Sequence, residues 1–149
     1  MKAILSRLIQ HEYLEKEEAK QVLVNIAKGE YKPAQIAAFL TVFMMRPVNA
    51  NELEGFRSAL LELCLPIDLT AFDPIDLCGT GGDGKDTFNI STLASFVTAG
   101  AGVPVAKHGN YGVSSSCGSS NVMEHLGIRF SNEEAFLQDC IEKAGICVL

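Results

Sequence analysis

The sequence has no surplus of positive charge: in 149 residues, 12 Lys and Arg stand against 18 Asp and Glu, a formal net charge of −6. Such a chain lacks the general basic surface that grips a nucleic-acid backbone, so no nucleic-acid partner is expected. Any phosphate it binds must be held locally, by backbone N–H groups and single Lys or Arg side chains. A paired cysteine framework is also missing. Cys64, Cys78, Cys117, Cys140 and Cys147 are odd in number, form no CxxC and have no His at a zinc spacing. That pattern predicts a reduced, cytoplasmic protein and not a disulfide scaffold or zinc module. No apolar run reaches the length of a membrane span. The opening MKAILSRLIQHEYLEKEEAK turns charged before a signal-peptide core can form. Low-complexity tracts and internal repeats are absent as well.

What is present suffices for a packed core, since 48% of residues are apolar. Residues 1–70 read as a small helical domain. Leu5, Leu8 and Ile9 make a short apolar stripe. Glu15 to Lys28 carries Ala19, Val22, Leu23 and Ile26 at helical spacing, with Gly29 as a stop. Pro33 suits a helix first turn, where its missing N–H costs nothing, and Ile36, Phe39, Leu40 and Phe43 form one face. Asn49 or Asn51 is expected to cap a fourth helix, with Leu53, Phe56, Leu60 and Leu63 facing inward.

Residues 71–149 read as an α/β domain. Pro74 to Cys78, Val103 to Ala106 and Ile146 to Leu149 are short apolar runs separated by helix-like segments near 91–99 and 120–127 and by a last helix capped by Ser131. Strand–helix–strand order implies a mainly parallel sheet with right-handed crossovers. The chain stops on the apolar run Ile146-Cys-Val-Leu149, which reads as a buried strand and not as a polar, frayed end. A fragment or shortened product, holding the first part of that α/β domain, is therefore expected.

Two unusual loops follow the first two strands, on the edge where parallel sheets bind ligands. The first is Gly79-Thr-Gly-Gly-Asp-Gly-Lys-Asp-Thr-Phe-Asn-Ile-Ser-Thr92. Its glycines let backbone N–H groups approach an anion, and a helix begins just after them. A tight connection needs one or two glycines, not the four that stand between 79 and 84. Two familiar patterns fail here. Gly79, Gly81 and Gly84 fit GxGxxG, but the region some 20 residues on is Val-Pro-Val-Ala-Lys-His, without the ribose-binding acid. Gly79 with Gly84-Lys85 opens a P-loop, but Asp86 stands where Ser or Thr is required.

The second loop opens with Lys107-His-Gly-Asn110, where Lys107 offers a point charge for pyrophosphate and Asn110 both donor and acceptor. Val113 to Ser120 then brings five serine hydroxyls to another helix start. Alone, that run reads as a Ser-rich turn with a helix cap. Beside the first loop it reads as the second half of one anion site. His108 suits either a donor to substrate or loop packing.

The motifs Gly79-Thr-Gly-Gly-Asp83, Asn89-Ile-Ser-Thr92, Lys107-His-Gly-Asn110 and the Ser-rich run at 114–119 resemble the signatures of the anthranilate phosphoribosyltransferase family. Pro33-Ala-Gln-Ile-Ala-Ala-Phe-Leu40 is similar to part of that family's helical domain. The resemblance implies transfer of the 5-phosphoribosyl group from phosphoribosyl pyrophosphate to the amine of anthranilate, a step of tryptophan biosynthesis in which pyrophosphate leaves. It implies donor contacts from Gly79, Gly82, Asp83 and Thr87, continued by Asn89, Ile90, Ser91 and Thr92. Ser91 would be a ligand of Mg²⁺, the implied cofactor. Lys107, Ser115 and Ser119 would bind phosphates, while His108, Gly109 and Asn110 would face anthranilate. A homodimer through the helical domain is also implied.

Tyr111, Ser116 and Asn121 depart from the family's usual Arg, Lys and Asp, removing two positive charges and one negative. Family members are also longer, with an acidic pair and an anthranilate-binding Arg in a region this chain lacks. Two other readings stay open: an inactive folded fragment or dimerisation module, and a pyrimidine nucleoside phosphorylase, whose family shares the architecture and the Lys/Ser pattern.

Overall fold

The computed structural model describes residues 1–79, 88–112 and 117–149. They form two compact units, Met1–Leu65 and Pro66–Leu149. The architecture is a helical bundle followed by an α/β unit with a small parallel sheet, as the patterning predicts.

The first unit holds α1 (Lys2–Ile9), α2 (Lys16–Ala27), α3 (Pro33–Met45) and α4 (Ala50–Leu63). α1 packs on α3, and α2 lies along α4. Local signals set the helix ends. Gly29 takes a left-handed φ of 74° just past α2, and Pro33 opens α3. Asn49 caps α4: its Oδ1 accepts from Glu52 N–H at 2.8 Å, and Glu52 Oε2 accepts from Asn49 N–H at 3.1 Å. The core gathers Leu8, Leu14, Ala19, Val22 and Phe39. Phe43 and Phe56 meet Phe39 edge-on, with ring centroids 4.9 and 6.2 Å away.

The inward face of α4 differs from the expected one. Glu52, Gly55 and Ala59 are buried, whereas Leu53, Leu60 and Leu63 are exposed. Closeness to α2 is the reason. A Cβ on Gly55 would run into the Lys16 carbonyl and come within 2.8 Å of Ala19 Cβ, so only small residues fit at that crossing. Glu52 is tolerated inside because its carboxylate is fully used. It accepts from Leu14 N–H (3.0 Å) and from Arg46 Nη1 and Nη2 (2.9 and 2.6 Å) besides Asn49. Arg46 in turn lies 4.5 Å over the Tyr13 ring.

The second unit begins with a 3-10 turn at Thr70–Phe72. It continues through α5 (Ile90–Gly100), β1 (Val105–Lys107), α6 (Ser119–His125), α7 (Glu134–Ala144) and β2 (Ile146–Val148). β1 and β2 pair in parallel, Val105 opposite Ile146 and Lys107 opposite Val148. Leu69, Ala106, Leu137, Ile141 and Cys147 form the core beneath them. Gly145, with φ of 72°, ends α7 and turns the chain into β2. Ser131 stands two residues outside the cap position of α7, which Glu133 occupies. Its Oγ accepts from Glu133 N–H at 3.1 Å.

The strand expected at Pro74 to Cys78 is reduced to a bridge between Ile75 and Val105. Ile75 N–H donates to Pro104 O at 2.9 Å, and Ala106 N–H donates to Ile75 O at 3.0 Å. There the backbone ladder ends, because side chains take the next positions. The Leu77 carbonyl accepts from Lys107 Nζ at 3.1 Å, and His108 N–H donates to Asp76 Oδ1 at 3.2 Å.

Candidate functional site

The carboxyl end of this sheet is where both glycine- and serine-rich segments leave the scaffold. One departs after Leu77 and Cys78, the other after Lys107, and the two bonds just described stitch these departure points together. Gly82, Asp83, Thr87 and Ser115 lie outside the described residues. The other candidate residues can be placed.

On the first segment, Gly79 approaches the start of α5. A Cβ there would stand 2.8 Å from Ser91 Oγ, so the glycine keeps that hydroxyl unobstructed. Asn89 is the N-cap of α5, its Oδ1 accepting from Thr92 N–H at 3.2 Å. Its side chain is thereby committed to the helix. Ser91 is half-buried and Ile90 exposed. Thr92 is buried, and its Oγ1 meets no hydrogen-bond partner among the described residues. A buried hydroxyl in that condition is unusual, since nearly all buried side-chain polar atoms find a partner.

On the second segment, Lys107 departs from expectation. It is 1% exposed, and its ammonium donates to the carbonyls of Leu77 (3.1 Å) and His108 (3.3 Å). It is a buried tie, not a surface point charge, because the lysine falls at the end of β1, facing the stretch before the first segment. The following His108 is exposed. Its Nδ1 lies 2.9 Å from Asp76 Oδ2.

Asn110 and Ser119 form a second tie. Asn110 N–H donates to Ser119 Oγ at 3.2 Å, and Asn110 O accepts from Ser120 N–H at 3.1 Å. This contact needs Gly109, where a Cβ would stand 2.6 Å from Ser119 Oγ. Ser120 N–H, in the first turn of α6, is therefore taken by the protein itself. The second anion site expected at this helix start is not supplied by that group. Asn110 Oδ1 is likewise used, accepting from Tyr111 N–H at 2.8 Å.

Tyr111 leans on Phe130, ring centroids 6.4 Å apart, and its hydroxyl donates to Glu124 at 2.7 Å. That bond to a carboxylate, with some desolvation, raises the phenol above its ordinary range. Gly109, Asn110, Tyr111, Ser120, Phe130 and Leu149 line a cavity of about 220 Å³ beside this motif.

Two roles on this edge escape a reading by motif. Asp76 is a lone carboxylate in an apolar run, and its meaning appears only once His108 is brought opposite. Asn121 accepts on one oxygen from Gly112 N–H (3.0 Å) and Gly118 N–H (2.9 Å), the described residues on either side of the serine-rich run. A polar residue in the first turn of a helix was the available signal.

A divalent cation fits this edge in part. Ser91 offers a hydroxyl that a side chain in place of Gly79 would crowd. Among the described residues no group of three His, Cys, Asp or Glu gathers to hold a metal by itself. Mg²⁺ commonly keeps water and takes ligand phosphate oxygens beside few protein groups, which suits such a donor set. No helix among the described residues is long and apolar enough to cross a membrane.

Comparison with known proteins gives a consistent pattern. Residues 2–64 match the model of the glycosyl transferase family, helical bundle domain. Residues 72–149 match that of the glycosyl transferase family, a/b domain. The whole chain is 74% identical to an anthranilate phosphoribosyltransferase of Flavobacterium psychrophilum and 72% identical to that of Flavobacterium johnsoniae. It covers 45% of the length of each, so it spans about half of the curated relatives it matches. The crystal structure of anthranilate phosphoribosyltransferase from Thermus thermophilus superposes with a TM-score of 0.80 at 36% identity. That match covers 97% of this chain and 44% of the other.

Proposed function

Because the chain belongs to the glycosyl transferase family, we propose that its α/β unit forms the phosphoribosyl-donor side of an anthranilate phosphoribosyltransferase. The reaction is transfer of the 5-phosphoribosyl group of phosphoribosyl pyrophosphate to the amine of anthranilate, as in tryptophan biosynthesis. One observation carries this reading: both candidate loops leave the same sheet edge, joined there by Lys107 to Leu77 and His108 to Asp76. A donor with phosphate groups at both ends of its sugar calls for binding groups from two sides, and two segments leaving one edge support that reading.

As pyrophosphate departs, the anomeric carbon turns cationic and negative charge grows on the leaving group. Fixed donors and positive charge near that oxygen lower the barrier more than they stabilise the bound donor. In this reading the glycine loop from Gly79 through Gly82, Asp83 and Thr87 to Asn89 and Ile90 encloses the donor. The Thr92 hydroxyl, which has no partner among the described residues, donates to it. Ser91 would hold Mg²⁺, which when bound neutralises pyrophosphate charge. Ser115 and Ser119 contact phosphate. Lys107 acts from beneath: its buried charge sits under the edge, and its two carbonyl bonds hold the loop bases in register. His108, Gly109 and Asn110 face the acceptor amine, whose weak nucleophilicity makes positioning the main demand. A second copy of the chain is proposed to dock on the helical unit, where Ile9, Leu40 and Met44 are exposed.

Calorimetric titration of the 149-residue chain with phosphoribosyl pyrophosphate and Mg²⁺ tests the donor site. Saturable one-to-one binding is expected, and none at millimolar donor would reject it. A turnover assay with anthranilate then separates a catalyst from a domain that binds without reacting. Phosphate-dependent cleavage of uridine or thymidine would favour phosphorolysis instead.

A further inference from the structure

The Asp76 carboxylate meets His108 twice. Oδ1 accepts its backbone N–H at 3.2 Å, and Oδ2 lies 2.9 Å from ring Nδ1. An ionised carboxylate can only accept hydrogen bonds, so Nδ1 must be the nitrogen that carries hydrogen. In a neutral imidazole the other nitrogen, Nε2, then holds the free lone pair. The His108 side chain is 59% exposed, and Nε2 has no partner among the described residues. The backbone bond matters as much as the ring bond, since together they fix both where the residue sits and how its ring is turned.

We infer that Asp76 is the positioning residue of His108, setting its tautomer so that Nε2 stands as a hydrogen-bond acceptor for the amine of the acceptor substrate. The inference rests on the reading that His108 faces that substrate. In the transfer, the amine lone pair forms the bond to the anomeric carbon. The bond from that carbon to pyrophosphate oxygen breaks, and pyrophosphate leaves with the electron pair. The nitrogen must then lose one proton. Nε2 takes it, and the imidazolium so formed keeps its Nδ1–H on the Asp76 carboxylate until solvent water removes the added proton. An arylamine is a weak base, so a modest acceptor at the right place suffices.

Two-bond proton–nitrogen spectra of the labelled chain read the tautomer directly. The three histidines are told apart with His108→Gln. At about pH 8.5, above the ordinary imidazole range, His108 should favour the Nδ1–H form by at least about tenfold. In Asp76→Asn the amide oxygen can still accept the backbone N–H while its NH₂ faces Nδ1, so the ring should switch to the Nε2–H form. Any other dominant state in the wild-type chain overturns the inference without recourse to a variant. An unswitched ring in a folded Asp76→Asn protein overturns it too. Titration with anthranilate, in the presence of donor and Mg²⁺, should shift the wild-type His108 ring signals. An Nδ1–H ring that ignores anthranilate overturns the acceptor-side reading and the proton transfer. A wrong tautomer overturns the role of Asp76 whatever anthranilate does.

Discussion

Lys107 spends its ammonium on the carbonyl of Leu77, 3.1 Å away, where a parallel strand would have placed a backbone N–H. A side chain thus completes the sheet edge from which both candidate loops depart. Lys107→Met keeps the apolar stem but leaves the Leu77 and His108 carbonyls without that donor. Losing a charge-assisted hydrogen bond at the half-buried Leu77 carbonyl is expected to lower stability by about 1.5 kcal/mol. Donor affinity should fall several-fold with it, because the loop bases lose their register. Urea unfolding and donor titration on the same preparation check both, and a fully stable variant with unchanged affinity would contradict the tie.

Glu52 makes stability depend on acidity. Burial alone would raise its carboxyl, but hydrogen bonds from Arg46 and the backbone N–H groups of Leu14 and Asn49 outweigh that and hold it below the ordinary value. A carboxylate depressed in the folded state contributes its full stability above the unfolded value, about 4.3 for glutamate. That contribution fades as pH falls through the folded value. The urea midpoint should therefore drop from about pH 5 to about pH 3 more steeply in the wild-type chain than in Glu52→Gln. At neutral pH the Gln variant, with Arg46 left uncompensated, should lose about 3–5 kcal/mol.

Asn121 should tolerate Asp and reject Leu. Its single oxygen serves Gly112 and Gly118, and a carboxylate oxygen can accept the same two bonds. Asn121→Leu removes them, and because water can reach the freed N–H groups the loss of stability should be about 0.5–1.5 kcal/mol. Thermal melts of the two variants decide the matter. Equal destabilisation would mean that the amide nitrogen, not the oxygen, is what counts.

Cysteine labelling offers a simple check on the α/β core. Burial pushes the Cys147 thiol up to about 11, while Cys64 and Cys78 are exposed. A thiol-reactive disulfide reagent at neutral pH should modify Cys64 and Cys78 quickly. Cys147 should react only on unfolding, with peptide mapping to identify each site. Prompt labelling of Cys147 in the folded chain would place the strand elsewhere.

Helix ends were legible because their signals are local: Gly29, Pro33 and Asn49 act on their own neighbours. The parallel sheet followed from the alternation of apolar runs and helices. The position of both loops on one edge followed from that topology. What escaped depends on partners distant in sequence. Leucine spacing alone assigned Leu53 and Leu60 to the inside of α4, but the face that is buried carries Glu52, Gly55 and Ala59, and at Gly55 even a Cβ would collide with α2. A lysine next to a glycine loop suggests a phosphate ligand, and only the fold shows its ammonium turned onto Leu77, 30 residues away. Asp76 carried no motif until His108 stood opposite it.

The handover from main-chain to side-chain bonding at this edge should leave a trace in amide hydrogen exchange. Ala106 N–H, on the Ile75 carbonyl within the ladder, can be released only by pulling β1 away from its neighbour. His108 N–H is guarded by one carboxylate on an exposed residue, and a rotation about a single side chain frees it. Deuterium should enter His108 through small local openings and Ala106 through far rarer ones, a steep gradient of protection across two residues. The rim from which the two candidate loops depart would then be able to loosen and reclose while the strands behind it stay shut.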